Sequence, residues 1–135
     1  MHNYSTHFYR TKAIDIITNH DQSTPLFLYL PFQAVHDPFT DAVESRDNAR
    51  SMISDEIRDA IDKNVVGHKR TDYAYALNLL DGAVGAIKRA LDETGLMDNT
   101  YLIFGKCRRE YALCEYTICD TPSSYTLTYI LCNAL

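Results

Sequence analysis

Residues 25–31 read Pro-Leu-Phe-Leu-Tyr-Leu-Pro, an apolar run of strand length with a proline at each end. A continuous run of this kind is typical of a parallel strand that is buried on both faces. A second run, Thr-Tyr-Leu-Ile-Phe at residues 100–104, follows the turn formed by Asp98 and Asn99. The sequence therefore predicts two buried strands.

Helices are predicted before and between these strands. Apolar spacing indicates a helix over about residues 7–19, capped by Ser5 or Thr6. One face of this helix would carry Phe8, Lys12, Ala13, Ile16, Ile17 and His20. A shorter amphipathic helix is indicated around residues 52–61, and the polar stretch 67–70 is interpreted as a connection.

The clearest helix is predicted to begin after Thr71 and to end before Gly95, which is placed for a left-handed cap. Its predicted buried stripe consists of Tyr73, Leu77, Leu80, Val84, Ile87 and Leu91. The order helix, strand, helices, strand favours an α/β fold with parallel strands joined by right-handed crossover helices.

Length and charge narrow the classes of function. The 135 residues are enough for one domain. Thirteen basic against eighteen acidic residues give a net charge of -5, and without a basic stripe we expect no nucleic-acid partner. No apolar run approaches the roughly eighteen residues of a membrane-spanning helix, so no span is expected. Residues 2–6 do not resemble a secretory signal, so either the chain stays in the cytosol or its true start is missing.

Cysteine usage changes near residue 105. The four cysteines are Cys107, Cys114, Cys119 and Cys132, and residues 1–106 contain none. Their spacing includes no C-x-x-C pair, so no zinc site is predicted, and any disulfide would require an oxidising compartment. We therefore place a boundary between residues 1–104 and a tail of residues 105–135.

Functional groups in such sheets gather beyond the carboxyl ends of the strands. Residues 33–38, which include His36, follow the first strand, and residues 105–108 follow the second. His36 could donate a hydrogen bond to an anion, act as a general acid or bind a metal, and the alternative is that it hydrogen-bonds its own loop. The remaining histidines are interpreted as solvated or capping side chains: His2, His7, His20 and His68.

The other polar candidates have structural interpretations. Asp55, Glu56, Asp59 and Asp62 fit the solvated face of a short helix better than a metal cluster. Asp81 adjoins the apolar stripe and is interpreted as a buried hydrogen-bond anchor. Asn3 begins a glycosylation sequon, which matters only if the chain is secreted.

Several short motifs occur in order along residues 3–104. They begin with Tyr-Ser-Thr-His-Phe at residues 4–8 and continue with residues 25–38, which contain Phe-Gln-Ala-Val-His before Asp37-Pro38. The later motifs are Tyr73-Ala74, Leu80-Asp81, Ala83-Val84-Gly85 and Asn99-Thr100. Together they resemble the sulfatase family, in particular its arylsulfatase B-like members, and identify residues 1–104 as part of a sulfatase catalytic domain.

The resemblance implies a partial alkaline-phosphatase-like α/β fold and the hydrolysis of sulfate esters, often on sulfated glycans, in lysosomes or outside cells. The family's nucleophile is a formylglycine, made from the cysteine of a C-x-P-S-R motif and held beside a calcium ion. His36 matches the family histidine that contacts the substrate sulfate, where a donor can stabilise developing negative charge. The resemblance therefore makes His36 the candidate catalytic residue.

The chain also departs from the family pattern. It contains no C-x-P-S-R, and Cys107 and Arg108 stand where the family has an Asp and an Asn that bind calcium. Calcium takes about six to eight oxygen ligands, so we expect no metal and no cofactor in this chain. Because Gly105-Lys106-Cys107 can be encoded by a sequence resembling an intron donor site, the tail is interpreted as translated intron or a gene-model error.

Three functional hypotheses follow. The first is a fragment of an arylsulfatase-like sulfuric ester hydrolase that is inactive as this chain, lysosomal or secreted, and glycosylated at Asn3. The second is a non-enzymatic truncated isoform that binds a partner through sheet edges and the apolar helix. The third, a phosphatase or phosphodiesterase of the same superfold, is disfavoured because the context of His36 is more like that of a sulfatase.

Overall fold

The computed structural model describes the backbone of residues 4–35, 49–107, 114–116 and 126–133, and the side chains of residues 4–35 and 49–103. The elements, in chain order, are helix α1 (Ser5–Thr18), strand β1 (Phe27–Pro31), helix α2 (Asp55–Asn64), helix α3 (His68–Thr94), a 3-10 helix (Leu96–Asn99), strand β2 (Thr100–Cys107), strand β3 (Cys114–Tyr116) and strand β4 (Thr126–Asn133). Within the described residues, none of the helices combines the length and apolarity that crossing a membrane requires.

Helix α1 begins earlier than predicted and is rotated about its axis. Tyr4, and not Ser5 or Thr6, occupies the N-cap position. The buried residues are Thr6, Ala13 and Ile17. Two members of the predicted face are exposed instead, Phe8 by 45% and Ile16 by 43%. Ala13 and Ile17, which also belong to the predicted face, are buried as predicted, and α1 packs against α3.

Strand β1 is covered on one face only. Leu28 and Leu30 are buried, whereas Phe27 is 67% exposed and Tyr29 is 50% exposed. The prediction of a strand buried on both faces is therefore wrong for this structure. Its physical reason is the two-layer arrangement, in which the helices cover a single side of the sheet.

Helix α2 lies on the surface and contains no buried residue. Asp55 and Glu56 in its first turn and Lys63 in its last turn complement the helix dipole. Asp55 also accepts a hydrogen bond from Arg58. The acidic residues of α2 thus belong to a solvated helix, as the sequence indicated.

Helix α3 is the longest element, with 27 residues. It begins at His68, before the predicted cap Thr71, because Gly67 adopts a φ of 100° and turns the chain into the helix. The Thr71 hydroxyl donates to the Gly67 carbonyl at 3.2 Å. Residues 68–70 are therefore helical, and their interpretation as a connection was wrong. The left-handed cap at Gly95 is confirmed, with a φ of 74°.

The buried face of α3 differs from the predicted stripe. Leu80, Ile87 and Leu91 are buried as predicted, but Leu77 is 40% exposed. Alanines complete the face, which consists of Ala76, Leu80, Ala83, Ile87, Ala90 and Leu91, together with Asp72 and Tyr75. Alternating small and large side chains at steps of four and three allow α1 to pack closely on α3.

The strands form a sheet in the order β1-β4-β2-β3. Every neighbouring pair of strands is antiparallel. Between β1 and β4, for example, Phe27 lies opposite Cys132 at one end and Pro31 lies opposite Thr128 at the other. Thr100 of β2 lies opposite Asn133 of β4, and Cys107 of β2 lies opposite Cys114 of β3. β1 and β2 run in the same direction but are separated by β4. The predicted parallel pairing of adjacent strands is therefore not found, since a strand of the tail lies between them.

A single hydrophobic cluster joins α1 and α3 to one face of the sheet. Leu28 and Leu30 of β1 contribute to this cluster together with Phe32, and Leu102 of β2 packs against its edge. The opposite sheet face carries exposed apolar side chains, namely Phe27, Tyr29, Tyr101 and Ile103. The described part of the chain is thus a two-layer α/β arrangement with one open sheet face.

Candidate functional site

The chain leaves β1 through a segment that is fixed in the core. Phe32, Ala34 and Val35 are all buried, and Gln33 between them is exposed. The Phe32 amide donates to the Leu30 carbonyl at 3.0 Å. The ring of Tyr9 on α1 meets the Phe32 ring edge to face, with centroids 5.9 Å apart. The backbone of residues 32–35 is therefore held in place immediately before residue 36.

That position is His36, which lies outside the described residues, as does the glycosylation candidate Asn3. The role of His36 and the glycosylation of Asn3 therefore stay predictions. The structure contributes the anchoring of the three buried residues that precede it.

The carboxyl ends of β1 and β2 reach the same edge of the sheet. Pro31 of β1 and Gly105 of β2 both lie opposite Thr128 of β4. Two strand spacings of about 4.8 Å each separate them. The two segments singled out in the sequence therefore begin at one edge, but Gly105 and Cys107 belong to β2 and do not form a loop. Arg108 lies outside the described residues.

The strand assignment of residues 105–107 bears on calcium. Their backbones pair with β3 on one side and β4 on the other. A thiol at position 107 and a guanidinium at position 108 are not the hard oxygen ligands that calcium requires. The residues present here do not fit a calcium site.

A cavity of about 420 Å³ lies where α2 meets the start of α3. Arg50 Nη2 donates to Asp62 Oδ2 at 2.7 Å, and the Tyr75 hydroxyl donates to the other oxygen of Asp62. The Arg50 guanidinium also lies 5.9 Å from the centroid of the Tyr75 ring. The pKa of Tyr75 is raised, mainly by burial and to a smaller extent by the hydrogen bond to Asp62. The three side chains thus satisfy one another.

Asp72 lines the same cavity and has a different environment. It is 5% exposed, and its Oδ2 has no hydrogen-bond partner within the described part of the chain. The prediction that Asp81 is a buried hydrogen-bond anchor is wrong, because Asp81 is exposed. Asp72 precedes Ala76 and Leu80 at steps of four, so the helical period of the true buried face would have identified it.

The histidines in the described residues do not converge. His20 lies on the surface, where its Nε2 is 2.9 Å from the Thr24 carbonyl, consistent with a role in the local turn. His68 lines the cavity beside Asp72, and His7 lies in the first turn of α1. The described residues contain no group of three or more His, Cys, Asp or Glu side chains that could hold a metal ion.

Comparison with known proteins assigns the chain to a class. The family model described as Sulfatase matches residues 1–105, so the chain belongs to the sulfatase family. It is 32% identical over 101 residues to Arylsulfatase J from Mus musculus. That alignment covers 75% of this chain and 15% of the relative, so the chain spans a small part of the relative's length. No solved structure gives a significant match.

Proposed function

We propose that this chain is a segment of an arylsulfatase-like sulfuric ester hydrolase and that His36 contacts the sulfate group of the substrate. The observation that carries the proposal is the sulfatase family match across residues 1–105, which includes the β1 exit segment. The burial of Phe32, Ala34 and Val35 supports it, because a donor to an anion must be held by a rigid backbone. The substrate class is a sulfate ester, with sulfated glycans as the expected natural form.

The chain by itself is proposed to be inactive. It carries no C-x-P-S-R sequence from which a formylglycine could be made, and its residues 107 and 108 are unsuited to calcium. A histidine without a nucleophile or a charge-neutralising cation provides only part of the stabilisation that sulfate transfer needs. Calorimetry on the full chain should accordingly detect no saturable calcium binding tighter than about 1 mM, the weak end for protein sites.

The organisation and location of the protein are part of the same proposal. Residues 1–104 are assigned to the sulfatase catalytic domain, and residues 105–135 to a tail of different origin, translated intron or a gene-model error. A full-length transcript that joins codons 104 and 105 within a constitutively spliced exon would reject that origin. The protein is proposed to be lysosomal or secreted, where Asn3 would be glycosylated; loss of mass after glycosidase treatment of protein from secretory cells would test this.

A second candidate function is a non-enzymatic isoform that binds a complete arylsulfatase. The exposed apolar side chains Phe27, Tyr29, Tyr101 and Ile103 on the open sheet face support it, because apolar side chains exposed on one face can mark an interaction site. Adding the chain to an active arylsulfatase distinguishes the two functions. A change in its rate that saturates with added chain supports the isoform, whereas an unchanged rate favours the catalytic segment.

A chimera tests the catalytic proposal. Residues 3–104 are placed in an active arylsulfatase in exchange for the corresponding segment, and hydrolysis of an aromatic sulfate is measured. His36→Ala in this chimera should lower kcat by about 10²- to 10³-fold, the usual cost of removing one donor to developing charge. The matched control is His20→Ala, since the Nε2 of His20 lies 2.9 Å from the Thr24 carbonyl in its own turn. Equal rates for the two folded variants would reject a role for His36.

A further inference from the structure

A second cavity lies between the first turns of α1 and the middle of α3. Its volume is about 190 Å³, and its polar lining comes from Tyr4, Thr6, His7 and Arg10. Its apolar lining comes from Met52 and from Leu79 and Ala83 of α3. The cavity contains none of the residues assigned to the proposed function.

Thr6 is a buried polar residue in the lining of this cavity. Its side chain is 1% exposed, and its hydroxyl has no hydrogen-bond partner in the described part of the structure. A buried hydroxyl without a partner is costly, and nearly all such groups in native proteins are satisfied. An acceptor is therefore expected beside Thr6.

Arg10 lies one turn further along the same face of α1. It is only partly exposed, and no ion pair to it is found among residues 4–35 and 49–103. A guanidinium offers five N–H donors and no acceptor. Its charge and its geometry therefore favour an oxyanion as the partner.

The first turn of α1 adds backbone N–H donors, which also favour an anion. Its N-cap residue Tyr4 makes no side-chain capping bond, and the first turn contains no acidic residue. The first backbone N–H groups of a helix have no intrahelical partner, and the helix dipole makes this end positive. Such an end binds anions when other groups complete the site. Thr6 and Arg10 are those other groups.

The lining is uniform in sign and suitable in size. No carboxylate is found among the described residues that line the cavity. The volume of the cavity is several times the roughly 30 Å³ that one water molecule occupies in the liquid. This leaves room for a tetrahedral oxyanion and the first atoms of its ester.

We propose that this cavity binds the tetrahedral oxyanion of a sulfate or phosphate monoester. Arg10 supplies the charge, the Thr6 hydroxyl and the first-turn amides donate hydrogen bonds, and His7 donates from the rim. Only the expected natural source, a second sulfate group on a sulfated glycan, rests on the proposed function; the binding chemistry does not.

The test is a titration of the full chain with sodium sulfate and with sodium phosphate, followed by amide chemical shifts. Ionic strength is held constant with sodium chloride, so that screening does not change. We expect saturable shifts in the first turn of α1. A sulfated disaccharide and its unsulfated counterpart form further arms. Binding of the sulfated sugar that is tighter than that of inorganic sulfate assigns the site to an ester, and binding of the sugar that is no tighter than that of inorganic sulfate assigns it to the free anion.

Three variants separate a built site from general electrostatics. Arg10→Gln and Thr6→Val should each weaken sulfate binding by about tenfold, the usual effect of losing a hydrogen bond to a charged group. Lys12→Gln removes the same charge as Arg10→Gln from the exposed face of α1 and should change affinity by less than about twofold. Thr6→Val should not lower thermal stability, because it removes a hydroxyl without a partner.

Two results would overturn the proposal. One is that sulfate produces no saturable shift beyond that of chloride, and the other is that Lys12→Gln weakens binding as much as Arg10→Gln. Neither result depends on turnover, so failure of the sulfatase assignment would leave this test intact.

Discussion

Truncation of Leu80 to alanine tests how α3 faces the core. Leu80 is 1% exposed, whereas Leu77, one turn earlier on the same helix, is 40% exposed. The apolar period of the sequence places both residues on one stripe, but the structure buries only one of them fully. The same substitution at the two positions therefore has different expected costs.

The magnitudes follow from burial. Leu80→Ala removes a fully buried side chain and leaves a cavity between α3 and its neighbours, which costs about 2–5 kcal/mol. Leu77→Ala removes a side chain that already contacts water and leaves an open notch that solvent fills. Its cost should be about 1 kcal/mol or less, close to the transfer free energy of the part that is buried.

The assay is urea unfolding of the full chain, followed by far-ultraviolet circular dichroism. The difference in unfolding free energy between the two variants should be at least about 1 kcal/mol, with the slope unchanged. If Leu80→Ala is unfolded without urea, Leu80→Val supplies a milder step for the same comparison. Equal losses at the two positions would refute the assigned orientation of α3.

Three further predictions concern backbone conformation and buried charge. Gly95→Ala should lower the free energy of unfolding by about 1 kcal/mol, because Gly95 has a φ of 74°. Gly82→Ala should raise it by about 0.5–1 kcal/mol, because nothing lies within 4 Å of the added Cβ and alanine favours a helix over glycine. Urea midpoints that shift in the same direction for both variants would contradict this. Asp72→Asn should raise the free energy of unfolding by about 1 kcal/mol, because it removes a buried charge whose Oδ2 has no hydrogen-bond partner in the described part of the chain. The exposed Asp81→Asn should change it by less than about 0.5 kcal/mol. Burial raises the pKa of Tyr75 above 10.0, so the unfolded chain loses the phenol proton at a lower pH than the folded chain does. The free energy of unfolding should therefore fall as the pH rises through about 10 towards the raised pKa. Tyr75→Phe should reduce this fall, which urea midpoints compared between about pH 9 and 11 would measure.

The elements could largely be predicted from local sequence, because local chemistry determines them. The run at residues 25–31 forms β1, and the run at residues 100–104 forms most of β2. Gly95 ends α3 in the left-handed conformation that its position indicated. Propensity, periodicity and turn residues act over a few neighbours, so these features are visible in the sequence.

The faces and pairings could not be predicted in the same way. α1 turns Phe8 and Ile16 outward, because the close packing of α1 on α3 is decided by alanines that an apolar count undervalues. β4 separates β1 from β2, and nothing local to residues 25–31 or 100–104 indicates which strand lies between them. Such pairings depend on contacts between residues far apart in the chain.

The two kinds of site also differ in how they could be found. His36 rests on a family resemblance carried by short motifs, which a sequence displays directly. Asp72 and Thr6 are candidates because each has a buried polar atom without a partner in the described residues, which only a three-dimensional environment shows. The true period of α3 contained a signal for Asp72, whereas the Thr6 environment depends on residues from both α1 and α3.

The open face of the sheet bears on the stability of the isolated chain. Phe27 and Tyr101 are 67% and 70% exposed. Fully burying a side chain of this size is worth roughly 1.5–3 kcal/mol, which is large beside a typical total of about 5–15 kcal/mol. We therefore expect a marginal and aggregation-prone product, and a sharp cooperative melt of monomeric material would contradict this.

The most direct measurement is the hydrolysis of an aromatic sulfate by the purified 135-residue chain, with His36→Ala prepared in parallel. A binding segment without nucleophile or cation should release phenol no faster than buffer, and the variant should be indistinguishable from it. Release that rises with protein concentration and disappears in His36→Ala would show that the chain is a complete catalyst and that the account is wrong.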